Sequence, residues 1–161
     1  MLTGLKKALT RIAELYRDTP ARYGSVLLAM KVYLWEAVCV FSDSPQPVDR
    51  ESAQSVVNQE WCSRGHPYGL PAPQVRMESG TTCWGRLSGI HLSSSMLKRF
   101  GLPIVLHELA HPLALNQGHG PEFIRVYISL LAKWCRMDEA MLLGLARVDE
   151  MLEKTACDTS E

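Results

Sequence analysis

The stretch LPIVLHELAHPLALNQGH, residues 102–119, carries the strongest signals of fold and function in this chain. His107 and His111 are four residues apart, so a helix would place them on one face, separated by about 6 Å of rise. The residues around them are mostly apolar, which is typical of a buried helix. Pro103 stands where the first turn of a helix tolerates proline. The stretch therefore predicts a buried helix that presents two imidazoles side by side.

Two imidazoles at this spacing can bind one zinc ion, each at roughly 2.0–2.1 Å. A catalytic zinc site usually has three protein ligands and leaves the fourth position to water. Glu108 follows the first histidine and can act as a general base toward that water, whose pKa zinc lowers toward about 7. The sequence therefore predicts a zinc-dependent hydrolase, most simply a metallopeptidase that cleaves amide bonds, with Glu108 as the catalytic base.

The third ligand has two candidates in the sequence. A straight helix would carry His119 about 12 Å along the axis from His111, out of coordination range, so the helix has to end between them. Pro112 favours a kink, and Gly118 is a residue type that ends helices. His119 is then the preferred ligand. Glu122, in the first turn of the next predicted helix, is the alternative and would complete a set of two histidines and one carboxylate.

The rest of the chain predicts an α+β fold. Apolar periodicity predicts helices at residues 26–41, at 49–61, from Gly120-Pro121 onward and after a capping Asp138. In the first of these segments, Val32, Val38 and Val40 leave a strand as the alternative. The turn signals Ser79-Gly80 and Ser88-Gly89 separate three short runs of strand type between residues 74 and 92. By the rules for hairpins, these runs predict a small antiparallel sheet of about three strands. We expect it to pack against several helices, including the one that carries His107-Glu108-Leu109-Ala110-His111, which is called the HExxH helix below.

The length of 161 residues suits one main domain. We expect an N-terminal amphipathic helix at residues 1–20, the main domain at residues 21–154 and a frayed tail at residues 155–161. The N-terminal segment lacks the apolar core of a signal peptide, and no apolar stretch is long enough to predict a membrane span. A cytoplasmic location is therefore predicted.

Charge and cysteine usage bear on the class of partner. Seventeen basic residues balance seventeen acidic ones, so no net positive field favours nucleic acid. The five cysteines form no CxxC pair, which argues against a disulfide framework and against a zinc ribbon. A protein or peptide substrate is the expected partner, whereas the oligomeric state is left open.

Several segments of the chain resemble the HExxH metallohydrolases of actinobacteria and their phages, which are distantly similar to SprT and Spartan-type zinc peptidases. The resemblance is carried by Lys31-Val32-Tyr33, Cys83-Trp84-Gly85-Arg86, residues 105–111 and His119-Gly120-Pro121-Glu122-Phe123. The HELAH pentapeptide occurs in many zinc peptidases, and the HGPEF segment is more specific to SprT-like proteins. The resemblance implies a zincin-like fold and zinc ligation by His107, His111 and His119.

The chain also departs from that group. The stretch between His111 and His119 is shorter than in many SprT-like peptidases and contains Pro112, which indicates a reshaped cleft. The CxxC ribbon and basic extensions of Spartan-type proteins are absent from the sequence. The resemblance therefore does not imply proteolysis coupled to DNA.

The competing interpretation is a regulatory or binding module in which a closed metal site only stabilises the fold. Glu108 separates the two interpretations, because a structural site needs no carboxylate beside its first ligand and usually fills all four positions. Arg86 and Tyr127 are candidates for stabilising an oxyanion, but the first is equally a surface cation and the second equally a core residue. His66 and His91 are expected to lie outside the site.

Overall fold

The computed structural model describes residues 20–41, 45–115, 118–148 and 151. The predicted amphipathic helix at residues 1–20 lies outside the described residues apart from Pro20, which opens the next helix. The predicted tail at residues 155–161 lies outside them altogether.

The described residues form six α-helices and one three-stranded sheet, which confirms the α+β prediction. In chain order the elements are α1 (Pro20–Trp35), α2 (Arg50–Ser63), β1 (Val75–Glu78), β2 (Trp84–Arg86), β3 (Gly89–Ser93), α3 (Ser94–Phe100), α4 (Leu102–Leu113), α5 (Pro121–Cys135) and α6 (Glu139–Val148). A π-helical turn (Glu36–Val40) continues α1, and a short 3-10 turn (Pro67–Gly69) follows α2. None of the described helices is long and apolar enough to cross a lipid bilayer.

The sheet is mixed, so the prediction of an antiparallel sheet is wrong. Its strand order is β1-β3-β2. β1 pairs parallel with β3, with Val75 opposite Ile90, and β2 pairs antiparallel with β3, with Gly85 opposite Ile90. The Ser79-Gly80 turn therefore closes no hairpin. Every residue of β3 is buried, and the central position gives this apolar strand a neighbour on both edges.

The helix starts follow the local chemistry of the sequence. α1 begins at Pro20, earlier than the predicted residue 26, because proline is tolerated in the first turn. The side chain of Asp49 caps α2 by accepting a hydrogen bond from the Ser52 N–H at 2.7 Å. Asp138 caps α6 in the same way, by accepting from the Met141 N–H at 2.8 Å. Both acidic residues thus satisfy donors that a helix N-terminus leaves free.

The HExxH helix α4 lies at the centre of the described fold, where it packs against α5 and the sheet. Residues 104–110 are all buried. Gly85 of β2 lies so close to α4 that a Cβ atom there would come 1.8 Å from the carbonyl oxygen of Glu108. Pro112 lacks the N–H that would otherwise bind this carbonyl along the helix. The missing side chain at residue 85 thus lets β2 cross directly against the HExxH motif.

Candidate metal centre

The end of α4 and the turn after it bring three histidines together. One ring nitrogen from each of His107, His111 and His119 lies within 4.8 Å of the other two. The Nε2 atoms of His107 and His119 are 3.1 Å apart. Two nitrogen ligands of a tetrahedral ion, each at roughly 2.0–2.1 Å, would be about 3.3 Å apart. The three side chains therefore fit around a single metal ion.

The chain reverses direction between His111 and His119. α4 runs through Pro112 and ends one residue later, at Leu113. Leu115 and Gly118 then adopt left-handed backbone conformations, with φ of 55° and 68°. Such residues commonly end helices and turn the chain. The predicted helix end is thus confirmed, and the turn carries His119 back over the helix face that it has just left.

Glu122, the alternative third ligand, lies apart from this cluster. It is in the first turn of α5, where its side chain is 55% exposed and its carboxylate lies 3.9 Å from the guanidinium of Arg125. The cluster within 4.8 Å comprises the three histidines and does not include Glu122. The structure therefore brings His119, rather than Glu122, to the two histidines of the helix.

Glu36, a buried carboxylate that the sequence analysis did not assign, contacts the first histidine. Its Oε1 atom lies 2.7 Å from Nδ1 of His107, and both residues are buried. The carboxylate accepts a hydrogen bond from the Nδ1–H, so the lone pair of the ring is left on Nε2, which faces the cluster. The Glu36 carboxylate also lies near the hydroxyl of Tyr127. The signal was present in the sequence as an acidic residue inside the apolar segment 26–41.

The electrostatics of the cluster favour neutral imidazoles at two positions. Burial lowers the pKa of His111 to about 4 and that of His119 to about 3, and repulsion from His107 adds to both shifts. Burial also lowers the pKa of His107, but the carboxylate of Glu36 more than offsets it, so its pKa is raised. Neutral imidazole is the form that binds metals. At neutral pH, His111 and His119 therefore offer lone pairs rather than protons.

Glu108 is buried beside the cluster. Burial raises its pKa to about 7; His107 opposes this rise, Glu36 adds to it, and a hydrogen bond from the Gly85 N–H opposes it. A pKa near the working pH is suited to a group that accepts and then returns a proton. The position of Glu108 thus has the electrostatic character of a general base, whereas its catalytic role stays a prediction.

A surface cleft of about 560 Å³ borders His107 and His111. Its walls are formed by the exposed side of the HExxH motif, by Tyr33 of α1 and by the whole of β2. β2 is an edge strand of the described sheet, and the N–H of its central residue, Gly85, hydrogen-bonds to Glu108. The cleft thus combines a possible metal site, a buried carboxylate and a sheet edge.

The other residues considered from the sequence are placed differently. Arg86 lines the cleft, and its guanidinium lies 5.3 Å from the centre of the Trp84 ring. Tyr127 is fully buried and donates a hydrogen bond to a backbone carbonyl of α4 at 3.3 Å, so it is a core residue. His91 stacks on Trp84 within the sheet, with ring centroids 3.5 Å apart. Neither His66 nor His91 belongs to the cluster of described histidines that could hold a metal ion.

Tyr33, like Glu36, is a residue of the site to which the sequence analysis gave no role, and it lines the cleft. Its side chain is half exposed, and its ring stacks against His107 at 5.9 Å and meets His119 edge-on at 5.3 Å. Burial, Glu108 and Glu36 all raise its pKa. The phenol therefore keeps its proton at neutral pH and can donate a hydrogen bond into the cleft.

Comparison with protein-family models, with curated proteins and with solved structures found no match to this chain. The zincin-like assignment and the resemblance to HExxH metallohydrolases therefore stay predictions. Function has to be inferred from the geometry of the site.

Proposed function

We propose that this protein is a zinc-dependent hydrolase that cleaves amide bonds in peptides or proteins. The observation that carries the proposal is the position of Glu108, a buried carboxylate with a raised pKa that lines the same cleft as His107 and His111. A metal site that served only stability would need neither the cleft nor this carboxylate.

His107, His111 and His119 would hold the metal through one ring nitrogen each. Zinc is proposed because a set of three histidines with an open fourth position is a common catalytic zinc site. When bound, zinc would act as a Lewis acid that polarises a carbonyl group and lowers the pKa of water. The carboxylate of Glu36 would hold the ring of His107 in the orientation and tautomer that ligation requires.

Glu108 would accept the proton of the attacking water and deliver it to the nitrogen of the leaving amine. In these two transfers the C–N bond of the amide is broken, the hydroxyl group of water is added to the carbonyl carbon, and the remaining proton of water goes to the amine. Tyr33 would donate its phenolic proton in a hydrogen bond to the oxygen on which negative charge develops. Tyr33 lines the same cleft as Glu108, which supports this role.

The edge strand β2 favours a peptide over a small-molecule substrate. An exposed strand edge can pair with an extended peptide through main-chain hydrogen bonds. β2 borders the cleft along its full length, from Trp84 to Arg86. A peptide paired with β2 would therefore run past Glu108 and the histidines.

The proposal is tested by incubating the purified protein with a complex peptide library and identifying new termini by mass spectrometry. We expect cleavage by the zinc-loaded protein, loss of cleavage after chelation and recovery on adding zinc back. Glu122→Gln, which changes an exposed carboxylate outside the cluster, is the matched control and should cleave like wild type. A protein that retains one zinc per chain and cleaves no peptide would instead support the non-catalytic module with a structural metal site.

A further inference from the structure

A second cavity, of about 370 Å³, adjoins the cleft at the HExxH motif. Both cavities are lined by Tyr33, Cys83, His107 and Glu108. A group that occupies the second cavity would therefore lie directly beside the carboxylate to which we assign the proton transfers. The volume is within the range of cavities that bind small ligands.

The walls of this cavity away from the motif are largely apolar. The apolar side chains on these walls are those of Ala37, Phe41, Met96, Phe100 and Ile104, and Thr81, Thr82 and Arg99 complete them. The rings of Phe41 and Phe100 pack together with centroids 4.2 Å apart, which gives the cavity an aromatic wall. Ile104, at the start of the HExxH helix, is 5% exposed and supplies an aliphatic surface. Displacement of water from such a surface by an apolar group lowers the free energy and therefore favours binding.

We infer that this cavity receives a long apolar side chain, of the size of leucine, methionine or phenylalanine, from a substrate residue that flanks the cleaved bond. The inference rests on the proposed function and adds a substrate class to it. Since Glu108 lines both cavities, a side chain in the second one holds its own backbone next to the reacting atoms. The cavity therefore selects the substrate residue that is adjacent to the cleaved bond.

The charges around the cavity disfavour the other classes of side chain. Glu36 and Glu108 are among the residues that line it, so an acidic side chain would be repelled by them and would also lose its hydration. A basic side chain gains little from Glu36, because that carboxylate is already bound by His107. The exposed Arg99, whose guanidinium lies 5.1 Å from the ring of Phe100, adds a repelling positive charge.

Ala37 provides a direct test, because it is exposed and lines the second cavity but not the first. Ala37→Trp should fill part of the cavity without disturbing the core. The neighbouring Val38, 70% exposed, lines neither cavity, so Val38→Trp is the matched control. Thr82→Trp, from an exposed position on another wall, is a second filling variant should Ala37→Trp fold poorly.

The measurement is kcat/KM for zinc-loaded protein on peptide pairs that differ only in phenylalanine or alanine on one side of the cleaved bond. For wild type we expect phenylalanine to be preferred at one flanking position by at least ~10-fold, the scale on which an apolar pocket discriminates. The filling variants should lower this ratio to about one third or less, and Val38→Trp should leave it unchanged. Cleavage with no preference at either flanking position, or a ratio that the filling variants do not lower, would overturn the inference and leave the hydrolase proposal intact. Absence of any cleavage would overturn both.

Discussion

Glu36 and His107, which are 71 residues apart in the sequence, form a buried hydrogen bond of 2.7 Å between Oε1 and Nδ1. The bond links the π-helical turn after α1 to the HExxH helix α4. A buried carboxylate is costly unless it is paired, and here its partner is His107, the first histidine of the motif. The π-helical turn that continues α1 is therefore part of the candidate metal centre and not only a packing element.

Replacing Glu36 should weaken metal binding. Glu36→Gln keeps the shape of the side chain but removes the negative charge that orients His107, and such partners of ligating histidines are usually worth about 10–100-fold in metal affinity. The measurement is competitive titration with a chromophoric zinc chelator. Glu122→Gln is the control and should bind zinc like wild type. Equal affinity in Glu36→Gln and wild type would show that the bond has no positioning role.

Tyr33→Phe should slow catalysis while metal affinity is retained. The ring still stacks on His107, but the donor for the developing oxyanion is lost, which typically costs about 10²-fold in kcat. Tyr68→Phe is the matched control, because Tyr68 is also about half exposed and its hydroxyl bonds to the Leu113 carbonyl at 3.1 Å, outside the cleft lining. A rise in KM with unchanged kcat would assign Tyr33 to substrate binding instead.

Gly85→Ala should destabilise the fold, because its Cβ atom would come 1.8 Å from the Glu108 carbonyl oxygen. Overpacking of this kind typically costs about 1–3 kcal/mol or more. Gly144→Ala is the control, since a Cβ there meets no atom within 4 Å and alanine is the better helix former. Chemical denaturation should therefore show a loss of stability for Gly85→Ala and a small gain for Gly144→Ala. Equal stabilities would contradict the close approach of β2 to α4.

Glu60 should make stability depend on pH. It is buried, and its carboxylate is bound by Arg64 at 2.7 Å, by Lys133 at 2.6 Å and by Trp134 at 3.1 Å. Burial alone would raise its pKa, but these bonds more than offset it, so the pKa is lowered from its ordinary value of 4.5. A carboxylate whose pKa is lower in the folded than in the unfolded state stabilises the fold at pH values above its unfolded-state pKa. This contribution is lost as the pH falls through the folded-state pKa.

Glu60→Gln should therefore lower the free energy of unfolding at pH 7 by about 1.5–3 kcal/mol, the scale of bonds to a charged group. The difference from wild type should shrink as the pH falls below 4.5. Denaturation curves across this pH range provide the measurement, with the exposed Glu122→Gln as the control. A difference that does not depend on pH would show that shape, and not charge, explains the effect.

The local features of the site could be predicted from the sequence, whereas the long-range ones could not. The spacing of His107 and His111 and the helix end before His119 follow from helix geometry and from residues such as Pro112 and Gly118. The contact between Glu36 and His107 depends on how two distant helices pack, and helical periodicity does not specify that. Only the isolated charge of Glu36 in an apolar segment pointed to it.

The prediction of the sheet was limited in the same way, because strand pairing is a long-range feature. Turn signals located all three strands, but they indicate neighbours in sequence and not neighbours in the sheet. The pairing of Val75 with Ile90 skips β2, because the fully buried strand β3 takes the central position. The cavity beside Glu108 also escaped the sequence analysis, since its walls come from α1, the β1–β2 segment, α3 and α4.

The central claim is that Glu108 makes this protein an enzyme, and Glu108→Gln tests it most directly. Glutamine keeps the size of the side chain but cannot accept the proton of the attacking water. With wild type and variant both loaded with one zinc per chain, we measure kcat/KM on a peptide that wild type cleaves, together with the melting temperature. The variant should keep its zinc and its melting temperature and lose at least ~10²-fold in kcat/KM, the contribution of a positioned general base. A zinc-loaded Glu108→Gln variant that cleaves as fast as wild type would contradict the claim.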